Sequence, residues 1–181
     1  RIITGSARGA LIETLEGEAT RPTAERAKEA LFSMIQFDIE GRAVLDLFGG
    51  SGQMALEALS RGAKSATICD SNRDAVAVIK RNAQKTKLYE KTKILSSDYK
   101  AAINGCRTGE KFGIVFLDPP YAAEQLPVVL PAVSKVMREG GIVLCETAKN
   151  IDLPEEAGKL VKAKEYRYGS TKVLMYKRGE D

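Results

Sequence analysis

Short apolar runs alternate along the chain with longer stretches whose apolar residues recur every three or four positions. The runs are AVLDLF (43–48), SATICD (65–70), TKILSS (92–97), FGIVFLD (112–118) and GIVLCET (141–147); helical patterns fall near 52–60, 73–85, 98–104 and 123–137. Strands that are apolar on both faces and separated by helices predict a parallel sheet covered on each side, a doubly wound α/β fold. Two further runs, near 159–168 and 171–178, have no helical pattern between them. They predict a closing antiparallel hairpin at the sheet edge.

The first 20 residues break this rhythm. Glycines at 5, 9 and 17 separate short β-favouring runs, which predicts a small N-terminal β-hairpin over 1–20 beside the core. RPTAERAKEALFSMI then predicts an entry helix within 21–38. Thr23 is a candidate N-cap, Glu25 falls in the first turn, and Ala27, Ala30, Leu31, Met34 and Ile35 form an apolar stripe. Residues 40–181 carry the alternating pattern, and the chain, 1–181, is expected to form one domain.

Composition narrows the chemistry. The 181 residues are 44% apolar, which suits one domain with a sizeable core. No apolar run approaches the roughly 20 residues that span a bilayer, so no membrane partner is expected. The net charge of +4 is compatible with nucleic acid without demanding it. Cys69, Cys106 and Cys145 show neither metal-ligand nor disulfide spacing, and point to a reducing, cytoplasmic setting. Histidine is absent. That excludes Ser-His-Asp and Cys-His catalysis and argues against a metal centre.

The segment VLDLFGGSGQMALEAL runs a buried strand into Gly49, Gly50, Ser51 and Gly52, then a helix. Residues 50–55 fit the G-x-G-x-x-G/A pattern that brings a ligand close to main-chain atoms. Asp70 follows at the end of the next strand, at a spacing that suits a ribose hydroxyl. A nicotinamide dinucleotide, an adenosyl cofactor and a ligand-free turn all fit so far. Asp46, just ahead of the loop, would repel a pyrophosphate and favour a cationic aminoacyl group, so S-adenosylmethionine is the better match. Its carboxylate could also hold loop amides. Asp98, in SSDY, is placed to accept from an adenine amino group or to cap a helix.

DPPY (118–121) closes the fourth run. Each proline removes an N–H and drives the preceding residue out of the α region. The stretch therefore offers carbonyls and a carboxylate but few donors. Such an acceptor patch suits an exocyclic amine, with Tyr121 as a stacking face. Acceptors on both N–H groups would draw the amine toward tetrahedral geometry and aim its lone pair at an electrophilic methyl group. They would also stabilise the positive charge that arrives there. The methylated amine is acidic enough to lose its proton without a histidine. The plainer alternative is a strand stop whose aspartate caps the next turn.

Together these residues resemble the class I methyltransferases, and most closely the RsmD-type guanine-N2 methyltransferases of small-subunit ribosomal RNA. The resemblance covers nearly the whole chain, through RIITGSARG, TRPTAERAKEALFSMI, VLDLFGGSGQMALEALSRGA, FLDPPY and YRYGSTKVLMY. DPPY is shared with enzymes that methylate amines in DNA or protein; the RPT-to-KEALF segment is the specific part. The resemblance implies a Rossmann-like, seven-stranded, mostly parallel sheet with the last strand antiparallel. It implies S-adenosyl-L-methionine as cofactor and the N2 of a guanine in the head of 16S rRNA as acceptor. The substrate would be a small ribosomal subunit or assembly intermediate, met by a monomer. Cofactor contacts are implied for Asp46, Phe48, Gly49, Gly50, Ser51, Gly52, Asp70, Ser71, Asp98 and Tyr99. Asp118, Pro119, Pro120 and Tyr121 would hold the target base. Two departures stand out: ALIET (10–14) follows ARG where a further basic residue is usual, and Asp70 stands where Glu is usual.

Arg1, Arg8, Arg21, Arg26 and Lys28 are the RNA-binding candidates, against the alternative of a solvated basic face. The basic run KRNAQKTKLYEKTK (80–93) reads as an exposed helix and loop. Three other functions compete: methylation of another amine in nucleic acid or protein, a non-catalytic RNA- or cofactor-binding module, and a nicotinamide dehydrogenase. An intact DPPY speaks against a silent module. The dehydrogenase reading leaves DPPY unexplained and lacks a proton-transfer histidine. The residues themselves do not separate RNA from DNA.

Overall fold

In the computed structural model, which describes residues 1–16 and 22–181, the alternating pattern resolves into five α-helices and eight strands among the described residues. The order is α1 (Pro22–Met34), β1 (Ala43–Asp46), α2 (Gln53–Ser60), β2 (Ser65–Asp70), α3 (Arg73–Lys85), β3 (Thr92–Ser96), α4 (Tyr99–Gly105) and β4 (Phe112–Leu117). Then come α5 (Ala122–Ser134), β5 (Met137–Ala148), β6 (Glu156–Ala157), β7 (Leu160–Tyr168) and β8 (Thr171–Arg178). The sheet order is β3-β2-β1-β4-β5-β8-β7-β6. The first five strands are parallel; β8 is antiparallel to β5, and β7 to β8. This is a doubly wound, Rossmann-like fold whose strand order reverses between β1 and β4, where open α/β sheets leave a crevice.

Alternation along the buried strands explains why both faces are apolar. Leu45, Val115, Leu117, Val143, Cys145, Leu174 and Tyr176 join one core with α4 and α5. Their neighbours Val44, Ile114, Phe116, Ile142, Leu144, Val173 and Met175 join the other with α1, α2 and α3. Continuous apolar runs are what a strand needs when both faces are covered.

Three expectations need correction. The sheet has eight strands, not seven: β6 is a two-residue strand paired through Glu156↔Val161 and Ala157↔Leu160, drawn from a polar stretch with no apolar run. Strand β5 starts at Met137, well ahead of 141. The polar residues between Met137 and Ile142 bulge out of the ladder, with Gly140 at φ +74°.

The third correction is the N-terminal hairpin. Among the described residues 1–16 there is no strand. Residues 2–10 form a loop closed by Ile2 N donating to Ala10 O at 2.9 Å and Gly9 N to Ile2 O at 2.8 Å. Four further donors of this loop, the amides of Ile3, Thr4, Ser6 and Ala7, find partners on α2 instead of a strand. Ile3 N and Thr4 N donate to the Glu57 carboxylate at 2.8 and 3.1 Å, and Ala7 N donates to Ser60 Oγ at 2.9 Å. Residues 17–20 of the expected hairpin lie outside the described residues. Helix α1 begins at Pro22, where proline is well suited to a first helical position. Thr23 therefore sits inside the helix and not at its cap.

Glu57 is fully buried and gathers this end of the molecule. Besides the two amides it meets Lys28 Nζ at 3.2 Å and Arg61 Nε at 2.9 Å, and the Arg61 guanidinium lies 4.7 Å from the Phe32 ring centroid. Lys28, expected as an RNA contact, is thus a buried brace between α1 and α2. Burial alone would push the Glu57 carboxyl up, but the Ile3 amide, Arg61 and Lys28 outweigh it and hold it below its ordinary value. A lowered folded-state pKa contributes stability that is complete above the ordinary value of 4.5 and is lost as pH falls through the folded value. Glu57→Ala should therefore lower the unfolding free energy in urea by about 3–5 kcal/mol at pH 7, the cost of stranding buried charges. The gap between wild type and Glu57→Gln should narrow steadily as pH falls below 4.5.

Candidate active site

Strands β1, β2 and β4 end at one edge of the sheet, and a cavity of about 590 Å³ opens there. Of the expected site residues, Asp46, Phe48, Gly49, Gly50, Asp70, Ser71, Asp98, Tyr99, Asp118, Pro119 and Pro120 all line it. Three do not. Ser51 is a buried member of the loop, Gly52 is the N-cap of α2 at φ +84°, and Tyr121 stands outside, 67% exposed.

The glycine loop is shaped by close approach. Gly49 N donates to Cys69 O at 2.8 Å, and a Cβ on Gly49 would come 2.6 Å from Ile68 Cγ2. Gly50, at φ +60°, donates its N–H to Asp70 Oδ2 at 3.0 Å, while Asn72 N donates to Oδ1 at 2.9 Å. Each Asp70 oxygen keeps acceptor capacity beyond these bonds. Asp46, 3% exposed, accepts from Phe48 N at 3.2 Å, so it does hold a loop amide while also lining the cavity. Asp98 caps α4 by accepting from Ala101 N at 2.8 Å. The Phe48 and Tyr99 rings pack with centroids 5.6 Å apart. At the far end Tyr121 N donates to Gln125 Oε1 at 3.0 Å, which fixes the start of α5 behind the two prolines.

The lining is acidic throughout. Glu16, Asp46, Asp70, Asp98, Asp118 and Glu146 contribute carboxylates, and no lysine or arginine is among the described lining residues. A pyrophosphate would meet only like charge here. A ligand with an ammonium, a sulfonium, a ribose diol and an adenine amine presents donors or positive charge to acceptors of this kind. The donor set thus fits an adenosyl cofactor and not a nicotinamide dinucleotide.

Several residues of the site were not anticipated. Glu146, on β5, lines the cavity, and burial raises its carboxyl pKa. A lone acid inside the apolar run GIVLCET was the available signal. Leu15, Glu16 and Leu31 bring the N-terminal segment and α1 to the wall. Asn82, fully buried on α3, joins two parts. Its Nδ2 donates to Ser51 O and to Glu13 O, each at 2.9 Å, and its Oδ1 accepts from Glu13 N at 2.8 Å. Arg81 reinforces this with an ion pair to Glu13 at 2.7 Å. The basic run around 80–93, read as an exposed helix and loop, therefore hides one structural clasp.

Of the basic residues expected at RNA, Arg8 and Arg26 are exposed. Arg1 is ion-paired with Glu25 at 2.8 Å, and Arg21 lies outside the described residues.

A family model described as conserved hypothetical protein 95 matches residues 1–177. The chain belongs to this family, that of the RsmD-type class I methyltransferases. YlbH of Bacillus subtilis (strain 168) is 34% identical over 98% of each chain. A Haemophilus influenzae protein named ribosomal RNA small subunit methyltransferase D is 32% identical over 83% of this chain and 79% of its own. Among solved structures, a conserved hypothetical protein of Streptococcus pyogenes is 39% identical, with a TM-score of 0.77 over 84% of this chain and 95% of its own. YhhF of Escherichia coli, at 24% identity, shares the fold with a TM-score of 0.88 over 100% of this chain and 98% of its own.

Because Asn82 carries three hydrogen bonds from one buried side chain, Asn82→Ala should destabilise the protein by about 2–3 kcal/mol, the scale for stranding buried polar groups. Hydrogen exchange should speed up at the Glu13 amide, and thermal denaturation should report the loss.

Proposed function

We propose that this protein transfers a methyl group from S-adenosyl-L-methionine to the exocyclic N2 of a guanine in small-subunit ribosomal RNA. The carrying observation is a single acidic cavity with the glycine loop, Asp46, Asp70 and Asp98 along one part and Asp118, Pro119 and Pro120 along another. The relative named ribosomal RNA small subunit methyltransferase D supports the choice of RNA. Residues 1–181 act as one methyltransferase unit.

The bound cofactor supplies the electrophilic methyl group. Asp46 complements the positive charge of its aminoacyl end, Asp70 accepts from the ribose hydroxyls and Asp98 from the adenine amine. Phe48 and Tyr99 give the apolar wall. On the substrate side, the Asp118 carboxylate and the Pro119 carbonyl accept the two N2 hydrogens. That removes the lone pair from conjugation with the ring and points it at the methyl group. The same acceptors stabilise the ammonium character that develops at N2. Pro119 is buried and Pro120 exposed, so the first proline anchors the segment while the second faces solvent. The exposed Tyr121 ring offers a face for the extruded base.

Transfer of tritium from labelled cofactor tests this reading directly. Naked rRNA, small subunits lacking the modification and DNA are offered in parallel, and the labelled nucleoside is identified. N2-methylguanosine from rRNA or subunits is expected. Label in adenine, cytosine or protein would overturn the acceptor assignment.

Asp118→Asn should lower kcat by about 10²–10⁴-fold, the range for losing one preorganised electrostatic group, with cofactor affinity unchanged by calorimetry. Tyr121→Phe should be mild and Tyr121→Ala should chiefly impair base placement. Charge reversal at Arg8 together with Arg26, neither of which lines the cavity, should raise KM for subunits and flatten its salt dependence. An unchanged salt series would make these two arginines only a solvated face.

A further inference from the structure

Glu146 has no task in the chemistry described so far. Strand β5 carries it one residue beyond Cys145, which pairs with Leu117 of β4. Asp118 directly follows Leu117 at the end of β4, so it falls beside Glu146 where two adjacent parallel strands, about 4.8 Å apart, run side by side. Alternation turns both to the same side. Leu117 and Cys145 face the core under α4 and α5, whereas Phe116 and Leu144 face the other. Both residues line the cavity, as do Phe116 and Leu144. On the other flank Glu146 is opposite Val173 of β8, which offers no polar group. Among the described residues the Glu146 carboxylate has no hydrogen-bond or ion-pair partner. Burial is the sole cause of its raised pKa, so no nearby cation offsets the desolvation. A carboxylate in this position is stabilised when a donor reaches it.

We propose that Glu146 determines specificity for guanine, its carboxylate accepting the N1–H that lies beside the amino group held by Asp118; this rests on the function proposed above. The three bases with exocyclic amines differ at the ring nitrogen next to the amine. Guanine N1 carries a hydrogen, whereas adenine N1 and cytosine N3 present a lone pair. Beside the Asp118 cradle, guanine gives Glu146 a donor. Adenine and cytosine set a lone pair against a buried carboxylate and leave it unsatisfied. The acceptor cradle alone would take any of the three amines, and Glu146 distinguishes among them.

The test replaces the target guanine by 2-aminopurine, which keeps the 2-amino group but has a lone pair at N1. Small subunits are reconstituted with rRNA carrying either base at the position the wild type methylates. Wild type should prefer guanine in kcat/KM by at least about 10–100-fold, the value of one hydrogen bond to a charged acceptor. Glu146→Gln keeps the shape but can turn an N–H toward N1. Its rate on guanine should fall, its rate on 2-aminopurine should hold or rise, and the preference should shrink by about 10-fold or more. The missing O6 of 2-aminopurine affects wild type and variant alike and drops out of this comparison. Thermal midpoint and calorimetric cofactor affinity should match wild type in the variant. A preference that stays the same in Glu146→Gln overturns the inference. So does a loss of cofactor affinity with the preference intact, which would make Glu146 a cofactor contact. Equal use of the two bases by wild type also overturns it. In each of these cases guanine is still methylated and the proposed function stands. No transfer to guanine by wild type would overturn both.

Discussion

The site depends on the parallel pairing of β1, β2 and β4. Parallel strands need crossovers, and crossovers bring every strand-to-helix loop out at the same edge. Register then does the rest. Asp46 is level with Phe116, Asp70 ends β2 one strand away, and Asp118 falls one step beyond the Leu117–Cys145 pair. Acids far apart in the chain meet because each one ends, or directly follows, a strand of one sheet. A slip of one residue in any strand would turn its acid into a core face.

Charge is divided by location. The chain is basic overall, yet the cavity lining contains carboxylates and no described lysine or arginine. A basic exterior attracts a polyanion without specifying where it docks. An acidic interior repels phosphate and accepts neutral or cationic donors. The two together favour a nucleic acid whose backbone stays outside while one base enters. The absence of histidine is compatible with this division, since a cradle of acceptors needs no titrating base at neutral pH.

Buried polar side chains, Glu57, Ser60 and Asn82 among them, join the N-terminal segment to the core. Glu57 takes the amides of Ile3 and Thr4, and Asn82 takes Glu13 while holding the glycine loop through Ser51 O. Isolated polar residues among apolar neighbours thus stand in for the strand pairing that a hairpin would have supplied. The same arrangement ties the segment before α1 to the glycine loop at the cavity, so disturbance at Glu13 should reach Gly49–Gly52.

Strands and helices from 43 onward were legible because their pattern is local: short apolar runs bounded by turn signals and alternating with amphipathic stretches fit strands between two helical layers. Helix α3 falls at 73–85, as its periodicity implies. The acids at strand ends and the DPPY stop were legible for the same reason, since loop chemistry and proline geometry act within a few residues. Long-range pairing was not. The two-residue β6 exists only because β7 offers it an edge, and the first ten residues became a loop because Glu57 and Ser60 of α2 answer their amides. Lys28 looked like any surface lysine until α2 placed Glu57 beside it. Glu146 looked like a strand end until β4 placed Asp118 next to it. The sequence by itself determined the alternation, the glycine turn and the acceptor cluster, which depend on neighbours along the chain. Only the tertiary structure decided which charges are buried, because burial and pairing depend on residues tens of positions away.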